Sequence, residues 1–175
     1  IELAHSFIVD PHKWLFAPFD CCALIYQDPR LAREAHQQQG AYLEVVYDGV
    51  WNVSDYAHHL SRRARGLPLW FSLATHGTEA YADAVEQTLA VAKEAAVRIE
   101  RQPNLELVAE QNLSICVFRR KGWNPEDYAN WSDHQLETGQ SFVTPTKHHG
   151  ETVLRFCIVN PRTTVQHIEE ILASL

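Results

Sequence analysis

The order of apolar and polar residues divides the chain into two parts that meet near residue 66. In the first part, the short apolar runs 6–9 and 21–26 predict two strands buried on both faces, because their apolar residues are consecutive. Prolines 11 and 18 mark the segment between these strands as a connection. The stretch 27–53 is first polar, with Asp28-Pro29 as a turn or a helix start, and then irregular, so we expect a long, mobile segment of the kind that covers a site.

The second part, 67–175, alternates between helical and strand-like patterns. The predicted elements are a helix over 67–101 that contains Gly77, strands over 105–109 and 113–118, a helix beginning at Asn124-Pro125, a strand over 152–159 and a last helix capped by Thr163 or Thr164. The first two of these strands are predicted to form an antiparallel hairpin. This order predicts an α+β domain with helices on one face of an antiparallel sheet.

Composition and charge narrow the class of protein. Hydrophobic residues make up 46% of the chain, which predicts a packed core, and the net charge of -7 argues against nucleic acid or an anionic membrane as partner. No apolar run reaches the length of about 18 residues that a membrane helix needs. The four cysteines are predicted to be buried free thiols in a reducing cytoplasm. We predict no metal site, because the histidine pairs 58–59 and 148–149 lack further ligands at metal-binding spacing.

The segment most suggestive of chemistry is Asp10-Pro11-His12-Lys13-Trp14, on the connection between the two predicted strands. We expect the neighbours of Lys13 to desolvate its amine and lower its pKa. A lowered pKa favours the neutral amine, which is the form that attacks a carbonyl group. From the residues alone, a structural lysine and a catalytic lysine both remain open.

This segment resembles the cofactor-lysine motif of the group II pyridoxal-dependent decarboxylases, in particular the aromatic-L-amino-acid decarboxylase branch. Three further segments are similar to that branch: Phe19-Asp20-Cys21-Cys22-Ala23, the arginine-rich stretch 62–71, and Val153-Leu154-Arg155-Phe156-Cys157-Ile158. The resemblance implies an α/β protein with the type I fold of pyridoxal-phosphate enzymes, the aspartate aminotransferase-like fold. Residues 1–66 would form the end of the large cofactor-binding domain with a mobile catalytic loop, and residues 67–175 the small C-terminal α+β domain.

The resemblance also implies a role for particular residues. Lys13 would hold pyridoxal 5'-phosphate as a Schiff base, with His12 beside the cofactor phosphate or the substrate. Asp10 would lie near that phosphate, where we expect it to bond backbone N–H groups or His12. Tyr42, on the mobile loop, would protonate the substrate carbon after carbon dioxide leaves. Ser61 and Arg62 would bear on substrate choice and on the subunit interface.

The reaction implied is decarboxylation of an L-amino acid, aromatic in the branch that is most similar, to an amine and carbon dioxide. Two alternatives remain: decarboxylation coupled to oxidative deamination, which gives an aldehyde, and a non-catalytic homologue that serves as a binding subunit. The family implies a homodimer with shared active sites. The chain has no Met, and the family places further cofactor contacts before the lysine, so we expect residues to be missing upstream and the chain alone to be inactive.

Overall fold

The computed structural model describes residues 1–38 and 52–175, which form two compact units, Ile1–Gly77 and Thr78–Leu175. The first unit begins with strands β1 (Ser6–Val9) and β2 (Ala23–Tyr26), which pair antiparallel with Ser6 opposite Tyr26. Both strands were predicted from the sequence. Helix α1 (Pro29–His36) and a short 3₁₀ helix (Val53–Tyr56) follow.

The expectation that β1 and β2 are buried on both faces is wrong for this chain. Ile8 is 63% exposed and Ile25 is 58% exposed, and Phe7 and Leu24 are exposed as well. Consecutive apolar residues are buried on both faces only when a layer covers each face of the sheet. Among the residues described, these two strands pair only with each other, so their apolar side chains remain accessible to water.

The described residues of the stretch 27–53 contain regular elements at both of its ends. Asp28 accepts a hydrogen bond from the Arg30 backbone N–H and so caps α1, with Pro29 at the first helical position. Asn52 caps the 3₁₀ helix in the same way through the backbone N–H of Ser54. The predicted mobile segment therefore contains a helix at 29–36, and its central part, 39–51, lies outside the described residues.

Helix α2 (Gly66–Arg101) matches the bounds of the predicted helix, and the structure adds an interruption at Gly77. The backbone of Gly77 has φ 77° and ψ 163°, a conformation open to glycine and strained for other residues. The helical path therefore breaks at Gly77, which is also the boundary between the two units.

The second unit is built on a four-stranded antiparallel sheet with the order β3-β4-β6-β5. Its strands are β3 (Leu105–Leu107), β4 (Ile115–Arg120), β5 (Pro145–His148) and β6 (Glu151–Cys157). The predicted hairpin of β3 with β4 and the strand β6 are confirmed. The sequence analysis missed β5, because this short edge strand, Pro-Thr-Lys-His, has little apolar character.

Helices cover one face of this sheet, as predicted. Helix α3 (Pro125–Glu137) begins with a capping box, in which Asn124 and Asp127 bond each other's backbone N–H groups. Thr164 caps the N-terminus of helix α4 (Val165–Ala173). Across the sheet, Cys116 lies opposite Phe156 and Phe118 opposite Leu154. The core joins these residues to buried helical side chains, which include Ala92, Ala95, Ile99, Tyr128, Trp131, Ile168 and Leu172.

All four cysteines are free thiols, as predicted. The predicted burial holds for Cys21 and Cys116 and is wrong for Cys22 and Cys157, which are exposed. Over the ranges 1–38 and 52–175, no helix combines the length and the apolar character that a membrane crossing requires.

Candidate active site

Lys13 lies on the tight connection between β1 and β2. Its backbone N–H donates to the Asp10 carbonyl oxygen at 3.0 Å, and the N–H of Ala17 donates to the carbonyl oxygen of Pro11 at 3.0 Å. Pro11 and Ala17 are both buried. The connection is thus anchored on its inner side, and Lys13 projects from a defined turn.

An ion pair holds the Lys13 amine. Its Nζ lies 2.7 Å from Asp10 Oδ2, and the lysine side chain is 69% exposed. The hydrogen bond with Asp10 raises the pKa of Lys13, and the same bond is the main reason that the pKa of Asp10 is lowered. The expected lowering of the Lys13 pKa is therefore wrong for this structure, because the amine is solvated and has a carboxylate partner.

Asp10 was expected to bond backbone N–H groups or His12, and its side-chain partner is instead Lys13. Cys22 is a second partner that the sequence analysis missed. A hydrogen bond between the Cys22 thiol and the Asp10 carboxylate contributes to the lowered pKa of Asp10. The pKa of Cys22 is raised, chiefly by partial desolvation and then by this hydrogen bond. Strand pairing could have revealed the contact, because Val9 lies opposite Ala23 and the next pair outward is Asp10 with Cys22.

His12 is fixed against the start of β2. Its Nδ1 lies 2.6 Å from the Cys21 carbonyl oxygen and 3.2 Å from the Cys21 backbone nitrogen. One ring nitrogen cannot donate and accept at once, and the shorter contact favours Nδ1–H donating to the carbonyl oxygen. The ring also makes an edge-to-face contact with Phe19, at 5.2 Å between centroids. His12 therefore has a defined orientation next to Lys13 in the chain.

The arginine-rich stretch reaches the lysine connection through a residue that the sequence analysis did not single out as a site residue. Arg65 Nε lies 3.0 Å from Asp20 Oδ1, and this hydrogen bond lowers the pKa of Asp20. Arg62 donates to the Val53 carbonyl oxygen, and Ser61 is exposed. The structure thus brings Arg65 to the segment that follows Lys13, and Arg62 to the 3₁₀ helix.

Tyr42 lies outside the described residues, so its place relative to Lys13 stays a prediction. Within the described part of the chain, no group of three or more His, Cys, Asp or Glu side chains is arranged to hold a metal ion. The described site therefore consists of an accessible primary amine, a carboxylate that orients it, a fixed imidazole and a thiol.

Comparison with known families and proteins agrees with the resemblance that the sequence motifs indicated. The family described as "Pyridoxal-dependent decarboxylase conserved domain" matches residues 1–121. Tyrosine decarboxylase 2 of Arabidopsis thaliana is 32% identical over 97% of this chain and 33% of its own length. The 3,4-dihydroxyphenylacetaldehyde synthase of Aedes aegypti is 30% identical over 90% of this chain and 30% of its own length. The chain therefore spans about a third of the length of these curated relatives.

Solved structures give the same fold. The crystal structure of Oryza sativa TDC with PLP and tryptamine has a TM-score of 0.87 and 24% sequence identity to this chain. The match covers 99% of this chain and 39% of that one. This likeness shows that the chain has the α/β fold that the sequence predicted, a part of the type I fold.

Proposed function

Because the chain belongs to the pyridoxal-dependent decarboxylase family, we propose that it carries the catalytic lysine of a carboxy-lyase acting on an L-amino acid. The products are the corresponding amine and carbon dioxide. The observation that carries the proposal is the accessible amine of Lys13, oriented by Asp10 on an anchored turn. An aromatic substrate is favoured by the similarity to a protein named as a tyrosine decarboxylase.

The residues present fit the cofactor that the family uses. Lys13 Nζ is open to an approaching aldehyde, and it is the only lysine in residues 1–77. When bound, pyridoxal 5'-phosphate supplies an electron sink for the electron pair left on the α-carbon as carbon dioxide departs. Asp10 orients the Lys13 amine and holds it as the ammonium ion. The amine must therefore lose a proton before it can form a covalent bond to an aldehyde carbon.

Other residues have proposed roles by their place in the family's motifs. His12 lies beside the cofactor phosphate or the substrate, and the tie to Cys21 fixes its orientation. Tyr42 delivers a proton to the α-carbon. Ser61 and Arg62 contribute to substrate choice and to a homodimer interface. Residues 1–66 form the end of a large domain and 67–175 a small domain, in a cytoplasmic enzyme.

A second candidate reaction is oxidative and yields an aldehyde. The similarity to a protein named 3,4-dihydroxyphenylacetaldehyde synthase favours it. A tyrosine at position 42 favours the amine, because a phenol placed near the α-carbon can protonate it before oxygen reacts. A non-catalytic binding subunit is a third candidate, and a lysine at position 13 argues against it.

The decisive experiment measures carbon dioxide release by the full-length protein with pyridoxal 5'-phosphate and a panel of aromatic amino acids. Lys13→Ala should abolish release, a loss of at least about 10³-fold, because no other group replaces the covalent amine. Lys93→Ala, an exposed lysine on α2, is the matched control and should retain full activity. Borohydride reduction followed by mass spectrometry should place the cofactor adduct on Lys13. An active Lys13→Ala enzyme, or an adduct elsewhere, would contradict the proposal.

The two candidate reactions are separated by their products. If the enzyme is an amine-forming decarboxylase, it should release one amine for each carbon dioxide and take up no oxygen. Tyr42→Phe should then lower the amine yield by at least about tenfold, a typical contribution of a general acid. Measuring amine, aldehyde and dissolved oxygen in the same reaction mixture distinguishes the two reactions. Aldehyde formation with oxygen consumption by the unmodified enzyme would establish the second candidate in place of the first.

A further inference from the structure

A cavity of about 540 Å³ lies at one end of the four-stranded sheet, wholly within the second unit. It lies where β4 turns into α3 and β5 turns into β6, and residues from both turns line it, among them Gly122, Trp123 and Gly150. This volume falls in the range of small-molecule sites. Neither the sequence motifs nor the proposed decarboxylation uses this place.

Positive charge prevails in the cavity. Four cations and two carboxylates line it, in a chain whose net charge is -7. The two carboxylates, Glu106 and Glu151, both bind Arg119, at 2.9 Å and 2.6 Å. The pairing with Arg119 lowers the pKa of Glu106, so that carboxylate stays ionised on its partner. The negative groups of the cavity are thus engaged by a single arginine.

Of the other three cations, Arg120 Nε donates to an oxygen of Leu175 at 2.6 Å. The two lysines donate to uncharged acceptors: Lys121 Nζ to the Pro103 carbonyl oxygen at 2.9 Å, and Lys147 Nζ to the Thr152 hydroxyl at 2.6 Å. These contacts orient the two lysines without neutralising them. Each can therefore still form a charge-assisted hydrogen bond with an anion, the stronger class of hydrogen bond.

Two aromatic residues, Trp123 and Tyr128, form one wall of the cavity beside these cations. Trp123 is half-buried and packs edge-to-face on Tyr128, at 5.3 Å between ring centroids, and the Arg120 guanidinium lies 5.8 Å from the Trp123 centroid. The Tyr128 hydroxyl bonds both the backbone N–H and the carbonyl oxygen of Arg120, at 3.0 Å and 3.2 Å. Strand, tyrosine and tryptophan are thereby locked together, so the wall exists before any ligand arrives.

We propose that this cavity binds a small organic anion that carries a planar ring. Lys121 and Lys147 receive its carboxylate or similar acidic group, and Trp123 packs against its ring. Every residue that lines the site belongs to the second unit, within residues 106–152.

The test uses the full chain and three matched compounds in isothermal titration calorimetry at low ionic strength. The probe is 2-naphthoate, which has both a ring and a carboxylate. The compound 2-naphthamide keeps the ring without the charge, and cyclohexanecarboxylate keeps the charge without a planar ring. We expect 2-naphthoate to bind with one-to-one stoichiometry, and the other two to bind at least about tenfold more weakly, since each lacks one of the two contacts.

The variants assign the binding to the cavity. The double variant Lys121→Met and Lys147→Met should weaken 2-naphthoate binding at least about tenfold, because it removes two charged donors. Lys93→Met, an exposed lysine on α2, should leave the affinity unchanged. If the double variant does not fold, as judged by circular dichroism, the two single variants replace it, each expected to weaken binding severalfold. Equal binding by wild type and lysine variants, equal binding of the three compounds, or no binding of 2-naphthoate would each overturn the proposal.

Discussion

The Asp10–Lys13 pair shows how a single neighbour sets the state of a reactive group. Part of this site was predictable from the sequence: Lys13 was located by its motif and by the strands on either side of it. Its protonation was not, because the bulky ring neighbours His12 and Trp14 suggested desolvation, while the group that decides the pKa of Lys13 is Asp10, three residues earlier in the turn. Whether a side chain faces its neighbour or the solvent depends on turn geometry, which the residue types alone do not fix. The contact of Cys22 with Asp10 was missed for the same reason.

Replacing Asp10 should shift the titration of Lys13. In Asp10→Asn the ammonium ion loses its partner, so the pKa of Lys13 should fall and a larger fraction of the amine should be neutral at any pH below that value. NMR titration of ¹³C-dimethylated lysines measures the midpoint, and adduct formation with pyridoxal 5'-phosphate near pH 8 should become faster. Asp28→Asn, which removes a carboxylate paired with Arg30, is the control and should leave the Lys13 midpoint in place. An unchanged Lys13 midpoint in Asp10→Asn would show that another group raises its pKa.

The same pair has a defined pH window for stability. The lowered pKa of Asp10 gives stability that is present above the unfolded value near 3.8 and is lost as pH falls through the folded value. The raised pKa of Lys13 gives stability that is present below 10.5 and is lost as pH rises through the folded value. The pair therefore favours the fold between these limits, and solvent exposure keeps the effect small.

At the scale of helices and strands, the sequence correctly predicted the features that depend on a few adjacent residues, such as the starts of helices. The Asn124-Pro125 start of α3 and the threonine cap of α4 were both read correctly, because capping depends on a few adjacent residues. Strand β5 was missed because it gains its hydrogen bonds from β6, and its own polar residues carry no strand signal. The start of helix α1 was one of the two interpretations of Asp28-Pro29, but the helix itself was left in a mobile stretch, because its eight residues are too few to show a helical period.

The capping box of α3 offers a test at this scale. Asn124→Ala removes the side-chain acceptor for the backbone N–H groups of Glu126 and Asp127, and it should lower the free energy of unfolding by about 1 kcal/mol. Urea unfolding followed by circular dichroism measures the change. Asn130→Ala, at an exposed position inside the same helix, is the matched control and should be neutral or slightly stabilising. Equal losses in both variants would mean that the cap contributes nothing specific.

For the molecule as a whole, the core of the second unit is self-contained. Every member of its main buried cluster lies between Val91 and Leu172, within that unit. The sequence predicted this α+β arrangement because periodicity and strand order are distributed along the whole segment. The first unit could not be predicted as well, since the burial expected of its strands depends on surfaces that its own residues do not supply.

A polypeptide of residues 78–175 should therefore fold without the first unit. We expect near-ultraviolet circular dichroism from its buried aromatic rings and one cooperative thermal transition. Phe118→Ala, which empties a fully buried position next to Phe156, should cost about 3–5 kcal/mol and lower the transition temperature sharply. A polypeptide with helical content and no cooperative transition would show that the core needs contacts from residues 1–77.

Strands β1 and β2, with their exposed apolar side chains, form an apolar ribbon that affects how strongly copies of the chain associate in solution. Among the residues described, each of these strands bonds only to the other, so the outer edge of each presents backbone donors and acceptors alongside exposed isoleucines. An open edge with apolar flanks is a template on which further strands stack. Purified chains will thus associate through this ribbon as concentration rises, and charged substitutions at Ile8 and Ile25 will keep them dispersed.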